Sequence, residues 1–162
     1  MTANWIISYP SVANHSLEDL AGRIMSCPRH VIGDLTIEKL SRLPDPTVGL
    51  YFVFEEGALV YVGKSSSRSF VERIPAHLDI REDGWFNTLP KRVRDFKEIP
   101  YDDAHKLTLQ LEIVLVSVPK DEPIQKYETI LRSYMLPTFN PGKPNRFNDH
   151  ADQPISAIAQ ML

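Results

Sequence analysis

Arg73 and His77 stand four residues apart in the segment Phe70-Val71-Glu72-Arg73-Ile74-Pro75-Ala76-His77, a spacing that puts two side chains on one face of a helix. A guanidinium offers a planar fork of donors suited to a phosphate, and an imidazole donates to or accepts from a hydroxyl near neutral pH. Taken singly, each residue type serves as often as a surface ion-pair partner or a capped core residue. Pro75 lies between them and removes one helical hydrogen bond, so a kink or a restart of the helix is expected there. Further on, Lys91, Arg92, Arg94 and Lys97 fall within seven residues. Such a cluster could neutralise phosphates, although a solvated helix face explains it equally well.

Two β-rich runs, 50–54 and 58–62, flank Glu55-Glu56-Gly57 and predict a hairpin whose three-residue loop closes on a left-handed glycine. Loop length sets the register. Phe54 should oppose Ala58, Phe52 oppose Val60 and Leu50 oppose Val62, which makes one face wholly apolar. On the other face Tyr51 should meet Tyr61 and Gly49 meet Gly63, so two phenols lie together where the strands lack side chains and a polyanion could approach. From this segment alone an ordinary cross-strand aromatic pair is the competing reading.

The remaining elements must position these groups. Ser16-Leu17-Glu18-Asp19 has capping-box spacing and starts a helix over about 17–26, while Thr36 caps a shorter one carrying Ile37, Leu40 and Leu43, ended by Pro44 and Pro46. Residues 1–47 thus read as a helical extension packed on the core. Alternation around Leu107, Leu109, Leu111 and Ile113, continued by Val114-Leu115-Val116, predicts a third strand at about 108–118, although helical spacing also fits part of it. Asp121 can cap a helix with Pro123 in its first turn that runs to about Met135. Glu128 falls at the margin of its buried stripe of Ile124, Tyr127, Leu131 and Met135. Burying an ionised carboxylate costs roughly several kcal/mol unless a cation compensates, and either a divalent metal or an arginine would do so. Residues 148–162 suggest a short amphipathic helix, packed on its own core or on a second subunit, so monomer and homodimer both stay open.

Composition bounds the rest. The 162 residues, 43% hydrophobic and 24% charged, are those of one globular domain, and no apolar run approaches the length of a membrane span. No basic segment followed by a long apolar one marks the N-terminus, so a cytoplasmic location is the default expectation. Single Cys27 excludes an internal disulfide. A net charge of −3 argues against coating nucleic acid by bulk electrostatics, but residues 64–97 carry 8 basic against 5 acidic side chains, so the positive excess is concentrated there.

Taken in order, Gly49-Leu50-Tyr51, nine intervening residues, Tyr61-Val62-Gly63, then Arg73, His77, Glu128 and the Asn140 of Pro137-Thr138-Phe139-Asn140 resemble the GIY-YIG nuclease superfamily over about residues 48–147. Leu50 and Val62 depart conservatively from its tripeptides, and the first 48 residues have no counterpart in the motif. The resemblance implies an α+β fold with a small three-stranded antiparallel sheet flanked by helices, to which the N-terminal extension is added. It also implies a divalent cation, Mg²⁺ or Mn²⁺, held through Glu128, and phosphodiester hydrolysis on nucleic acid, DNA in the first instance. Tyr51 would be the general base, with Tyr61, Arg73 and His77 around the scissile phosphate and Asn140 bracing the site. Gly49, Gly63, Lys64, Lys91, Arg92 and Arg94 would contact the substrate. A phenol of pKa about 10 costs about 4 kcal/mol to ionise at pH 7, so cations near Tyr51 are required. A catalytically degenerate binding or interaction module is the alternative.

Overall fold

The computed structural model describes residues 3–162. In chain order the elements are β1 (Ile6–Ser8), α1 (Tyr9–Val12), α2 (Leu17–Ser26), β2 (His30–Val31), α3 (Ile37–Ser41), β3 (Gly49–Glu55), β4 (Ala58–Ser65), α4 (Phe70–Ala76), α5 (Thr88–Lys97), α6 (Tyr101–Gln110), β5 (Glu112–Ser117), α7 (Ile124–Met135) and α8 (Ile155–Ala159), with single 3₁₀ turns at Ile32–Asp34 and Asn148–His150. The class is α+β. The sheet is larger than the expected three strands: β5, β3 and β4 form an antiparallel centre, and two strands from the N-terminal segment add to β5. β1 runs parallel to β5 with Ile7 beside Val116, and β2 runs antiparallel with His30 beside Ile113. Residues 1–47 are therefore not helical throughout. Their strand pieces are two or three residues long, too short for the alternation that marks a strand in sequence.

The helix starts of this segment follow their caps. Ser16 Oγ accepts from the Asp19 amide at 3.1 Å and Thr36 Oγ1 accepts from the Lys39 amide at 3.1 Å, each satisfying a donor that the first helical turn leaves free. Leu17, Leu20 and Ile24 then pack with Leu50, Phe52, Phe54 and Val62, together with Ile130 and Leu131 of α7 and Ile158 of α8. Tyr51, Val53 and Tyr61 are buried in a second core on the opposite face, among residues of α4, α5 and α6 such as Ile74, Leu89 and Ala104. Both faces of the sheet are covered, which is why the central strands read as nearly continuous apolar runs.

The hairpin departs from the expected register. Its turn has two residues, Glu56 and Gly57, both at positive φ (49° and 84°), the combination of a type I′ turn. Glu55 pairs with Ala58 and Phe54 with Leu59, after which the ladder shifts so that Val53 pairs with Tyr61, Phe52 with Val62 and Tyr51 with Gly63. Val60 is the extra residue of this bulge. It joins Tyr61 on the second core while Leu59 and Val62 face the first, so Val60 does not oppose Phe52 and Tyr51 does not directly oppose Tyr61. Bulges rotate side chains in this way by inserting one unpaired residue.

Two further boundaries differ. Residues 108–110 close α6, whose Thr108 Oγ1 donates to the Ala104 carbonyl at 2.8 Å, and the strand begins only at Glu112. Leu107 therefore belongs to the helical pattern. Helix α7 starts at Ile124 after Pro123, without a side-chain cap from Asp121. Instead the Glu122 carboxylate accepts from the Tyr127 hydroxyl at 2.5 Å. None of the helices among the described residues is long and apolar enough to cross a membrane.

Candidate active site

β3, β4, α4, α5 and α7 converge on a cleft of about 280 Å³ lined by Tyr51, Tyr61, Gly63, Lys64, Arg73, Thr88, Arg92, Glu128, Arg132 and Asn140. The two phenol rings stack at 6.2 Å between centroids with 27° between planes. They approach diagonally, because Gly63 occupies the position directly across from Tyr51. A side chain at Gly63 would overlap Cζ and Oη of Tyr51, so the ring lies over the bare backbone of β4. At Gly49, whose φ is 147°, a side chain would collide with the Val116 carbonyl and the backbone of Ser117 and Val118. Its role is close strand packing, and it does not line the cleft.

His77 caps α4 and is buried. Beyond Pro75 the last turn tightens: the His77 amide donates to Ile74 O at 3.1 Å and the Leu78 amide to Pro75 O at 2.9 Å. The imidazole then joins two elements. Nδ1 accepts from the Leu89 amide at 3.1 Å, one of the free donors in the first turn of α5, and Nε2 lies 2.6 Å from the Tyr51 hydroxyl. With Nδ1 accepting, the proton of a neutral ring must sit on Nε2, so Nε2–H donates to the Tyr51 oxygen. Burial, then the nearby Arg73 charge, hold His77 well below its usual pKa, which keeps it neutral. Burial first, then neighbouring Tyr61, raise Tyr51 well above the usual phenol value, with Arg73 opposing. Tyr51 is thus a phenol at neutral pH, and His77 cannot take its proton in this tautomer.

Arg73 reaches the cleft from α4. Its Nη1 donates to the Phe86 carbonyl at 2.8 Å and Nη2 to Thr88 Oγ1 at 3.3 Å, and Thr88 Oγ1 also meets the Tyr61 hydroxyl at 3.1 Å. Glu128 projects from α7 with its side chain 15% exposed, 3.7 Å from Lys64 Nζ and 3.5 Å from Arg132 Nη1. Lys64 also donates to Gln125 Oε1. Both ion pairs are long, so the carboxylate keeps unsaturated acceptor capacity toward the cleft. A hard cation such as Mg²⁺ accepts one carboxylate with the other positions filled by water and phosphate oxygens, and Glu128 is the one carboxylate lining the cleft that could serve so; among the described residues no three His, Cys, Asp or Glu side chains gather as a metal site.

Asn140 supports the strand. Its Oδ1 accepts from the Val62 amide at 3.1 Å and its Nδ2 donates to the Val62 carbonyl at 2.7 Å, while the Phe139 amide donates to Val60 O at 2.7 Å. Segment 138–140 therefore satisfies the outer edge of β4. Of the basic cluster on α5 only Arg92 lines the cleft. Lys91 donates to the Gly84 carbonyl, Arg94 pairs with Glu82 and Asp95, and Lys97 with Glu55. Two cleft residues carry no signal of their own in the sequence reading. Thr88 lies in an undistinguished loop-to-helix junction, whereas Arg132 could have been found as the i, i+4 cation to Glu128. No family model, no curated protein and no solved structure matches this chain.

Proposed function

We propose that this chain is a metal-dependent endonuclease of the GIY-YIG kind, hydrolysing phosphodiester bonds of nucleic acid, DNA in the first instance. The observation that carries the reading is the charge of the cleft. Lys64, Arg73, Arg92 and Arg132 line the cleft with one carboxylate, Glu128, so a chain of net charge −3 gathers four cations against one anion beside two phenols. A phosphodiester suits such a site by charge and by the donor fork of arginine. Glu128 would hold a divalent cation, which would supply positive charge against the phosphate as the attacking and leaving oxygens exchange.

The chain's own groups divide the remaining work. Arg73 presents donors to the phosphate and is held in place by Phe86 O and Thr88, so little reorganisation is needed as charge develops. His77 Nε2–H fixes the Tyr51 oxygen and leaves the phenol proton directed elsewhere, so Tyr51 orients an attacking water as a phenol. It serves as a base only where added cations offset the effect of burial. If it does so, the Nε2–H bond stabilises the phenolate.

A second reading, a binding or interaction module of the same fold without chemistry, draws on the pairing of Glu128 with Lys64 and Arg132, which already supplies that carboxylate with counter-charge. One experiment separates the two. Purified protein is incubated with supercoiled plasmid, linear duplex, single strand and RNA, with and without Mg²⁺ or Mn²⁺, beside a Glu128→Ala variant. Metal-dependent cutting by the wild type alone is expected. Undiminished cutting by Glu128→Ala, or binding without cutting by the wild type, rejects the nuclease reading.

A further inference from the structure

The loop between α4 and α5 displays an aromatic pair beside the cleft. Trp85 is 88% exposed and Phe86 44%, whereas the other tryptophan, Trp5, is 6% exposed. Leaving an indole in water forgoes the burial that usually governs its placement. The loop nevertheless holds a defined shape. Asn87 Nδ2 donates to Arg81 O at 2.8 Å and to the Tyr101 hydroxyl at 2.6 Å, and His105 Nε2 donates to Leu78 O at 2.8 Å. The Lys91 ammonium bonds the Gly84 carbonyl. Side chains of α5 and α6 thus anchor this loop on both sides of Trp85, and the exposed indole projects from a braced support.

Its connection to the cleft is direct. Arg73 donates to the backbone carbonyl of Phe86, and Thr88, two residues on, lines the cleft. Trp85 stands three positions before Thr88, at most roughly 10 Å along the chain, within the reach of about three stacked nucleotides at 3.4 Å each. Arg68 places its guanidinium 4.5 Å from the centre of the Phe86 ring, and two of the three acidic groups of the loop are matched, Asp79 by Arg81 and Glu82 by Arg94, which leaves Asp83 as its one carboxylate without an ion pair among the described residues. Exposed rings alternating with guanidinium groups next to a cationic cleft are the components of a surface that follows a nucleic-acid strand, stacking on bases while cations meet phosphates.

We propose that Trp85 and Phe86 form a stacking platform for an unpaired base of the strand whose phosphate lies in the cleft. The assignment rests on the nuclease reading for its substrate, but its test does not depend on turnover. Binding of a fluorescently labelled twelve-nucleotide oligo(dT) is measured by anisotropy with the metal chelated, for wild type, Trp85→Ala and Trp85→Phe, and tryptophan emission with unlabelled oligo(dT) is followed in the wild type against Trp85→Phe, which leaves only Trp5. Cleavage of the same oligonucleotide and of duplex is measured separately with Mg²⁺. The expected results are affinity weakened about 10- to 100-fold by Trp85→Ala, largely restored in Trp85→Phe, and quenched tryptophan emission on binding. Because the side chain is exposed, neither substitution threatens the fold. Wild-type affinity in Trp85→Ala overturns the platform and leaves the nuclease reading standing if the wild type cuts. Trp85-dependent binding without cutting upholds the platform and rejects the nuclease. Absence of oligonucleotide binding by the wild type overturns the platform, and duplex cleavage then decides the nuclease reading separately.

Discussion

Replacing Gly63 by alanine tests the relation between the hairpin and Tyr51. The added Cβ would stand 2.5 Å from Tyr51 Cε2 and closer still to Cζ and Oη, where carbon atoms in contact normally stand about 3.5–4.0 Å apart. Relief therefore requires the ring or the strand to move by roughly 1 Å or more. The ring has little freedom to retreat. Its oxygen is held by His77, one face stacks on Tyr61, and the void lined by Ile74, His77, Leu89 and Ile113 measures about 10 Å³, at the lower limit for a single water. Overpacking of this kind costs about 1–3 kcal/mol, and a 1 Å displacement of a positioning group lowers turnover by about 100-fold. The assay is urea unfolding of wild type, Gly63→Ala, Tyr51→Leu and the double variant. Leucine keeps apolar volume near the strand and vacates the space of Cζ and Oη, so Gly63→Ala should cost less than about 0.5 kcal/mol in that background. An equal cost in both backgrounds would refute the steric argument and place the effect of Gly63 elsewhere in β4.

Other perturbations follow from the same geometry. Glu128→Ala should abolish metal-dependent cleavage while shifting the free energy of unfolding by no more than about 1 kcal/mol, since it removes only two long ion pairs; plasmid nicking and urea titration together measure this, and cleavage abolished by unfolding would show as a lost transition. Asn140→Ala strips partners from both the amide and the carbonyl of Val62 and should destabilise by about 2–4 kcal/mol, far more than an exposed asparagine would. His77 stays neutral in the folded chain, with its pKa below the usual 6.5, whereas the unfolded chain binds a proton as pH falls through that value. Stability should therefore decline from about pH 7 toward pH 5, and His77→Gln should lose that component of the slope. The same slope in both proteins would contradict the buried, neutral assignment. Tyr51, raised above the usual phenol value of 10.0, should lower stability above about pH 10, where its phenol ionises only in the unfolded chain, and Tyr51→Phe should make that fall shallower without removing it, because Tyr101, Tyr127 and Tyr134 are raised too.

The parts of this fold that were legible in the sequence are those governed by local chemistry. Ser16 and Thr36 announce their helices because a hydroxyl at the cap satisfies a specific amide. The hairpin is legible because two β-branched and aromatic runs flank a glycine turn. Its register is not, because Glu56 adopts positive φ without being asparagine or glycine, and because a bulge at Val60 leaves no compositional trace. β1 and β2 are too short to carry periodicity, and their pairing with β5 is decided by tertiary packing. Tyr51, Tyr61, Arg73 and Glu128 of the cleft, and the buried His77 behind Tyr51, are singled out as an ordered set by the resemblance, since each alone has an ordinary structural reading. Thr88 gains its place from the meeting of its loop-to-helix junction with Tyr61 of β4 and Arg73 of α4, which no spacing within one segment encodes, whereas the i, i+4 relation of Arg132 to Glu128 is there to be read. Lys91 and Arg94 belong to the same charged run as Arg92 but are turned to Gly84 and to Glu82, since neighbouring residues of a helix cannot all face one way.

The Val60 bulge gives the hairpin a parity. Across a two-residue turn, partners are separated by an odd number of positions, as Glu55 and Ala58 are; beyond one extra residue on one strand every separation becomes even, as between Tyr51 and Gly63. Without the bulge the ladder would set Tyr51 against Val62, whose side chain would share its face and occupy the space of the ring. Chains that keep this site can therefore change hairpin length in pairs, one residue on each strand, or by one where the change removes the bulge, through loss of Val60, gain of a matching residue on β3 or a loop of odd length. With the bulge kept, a single insertion or deletion in either strand between the turn and the Tyr51–Gly63 pair would substitute a side-chain-bearing neighbour for glycine, even with every motif residue retained.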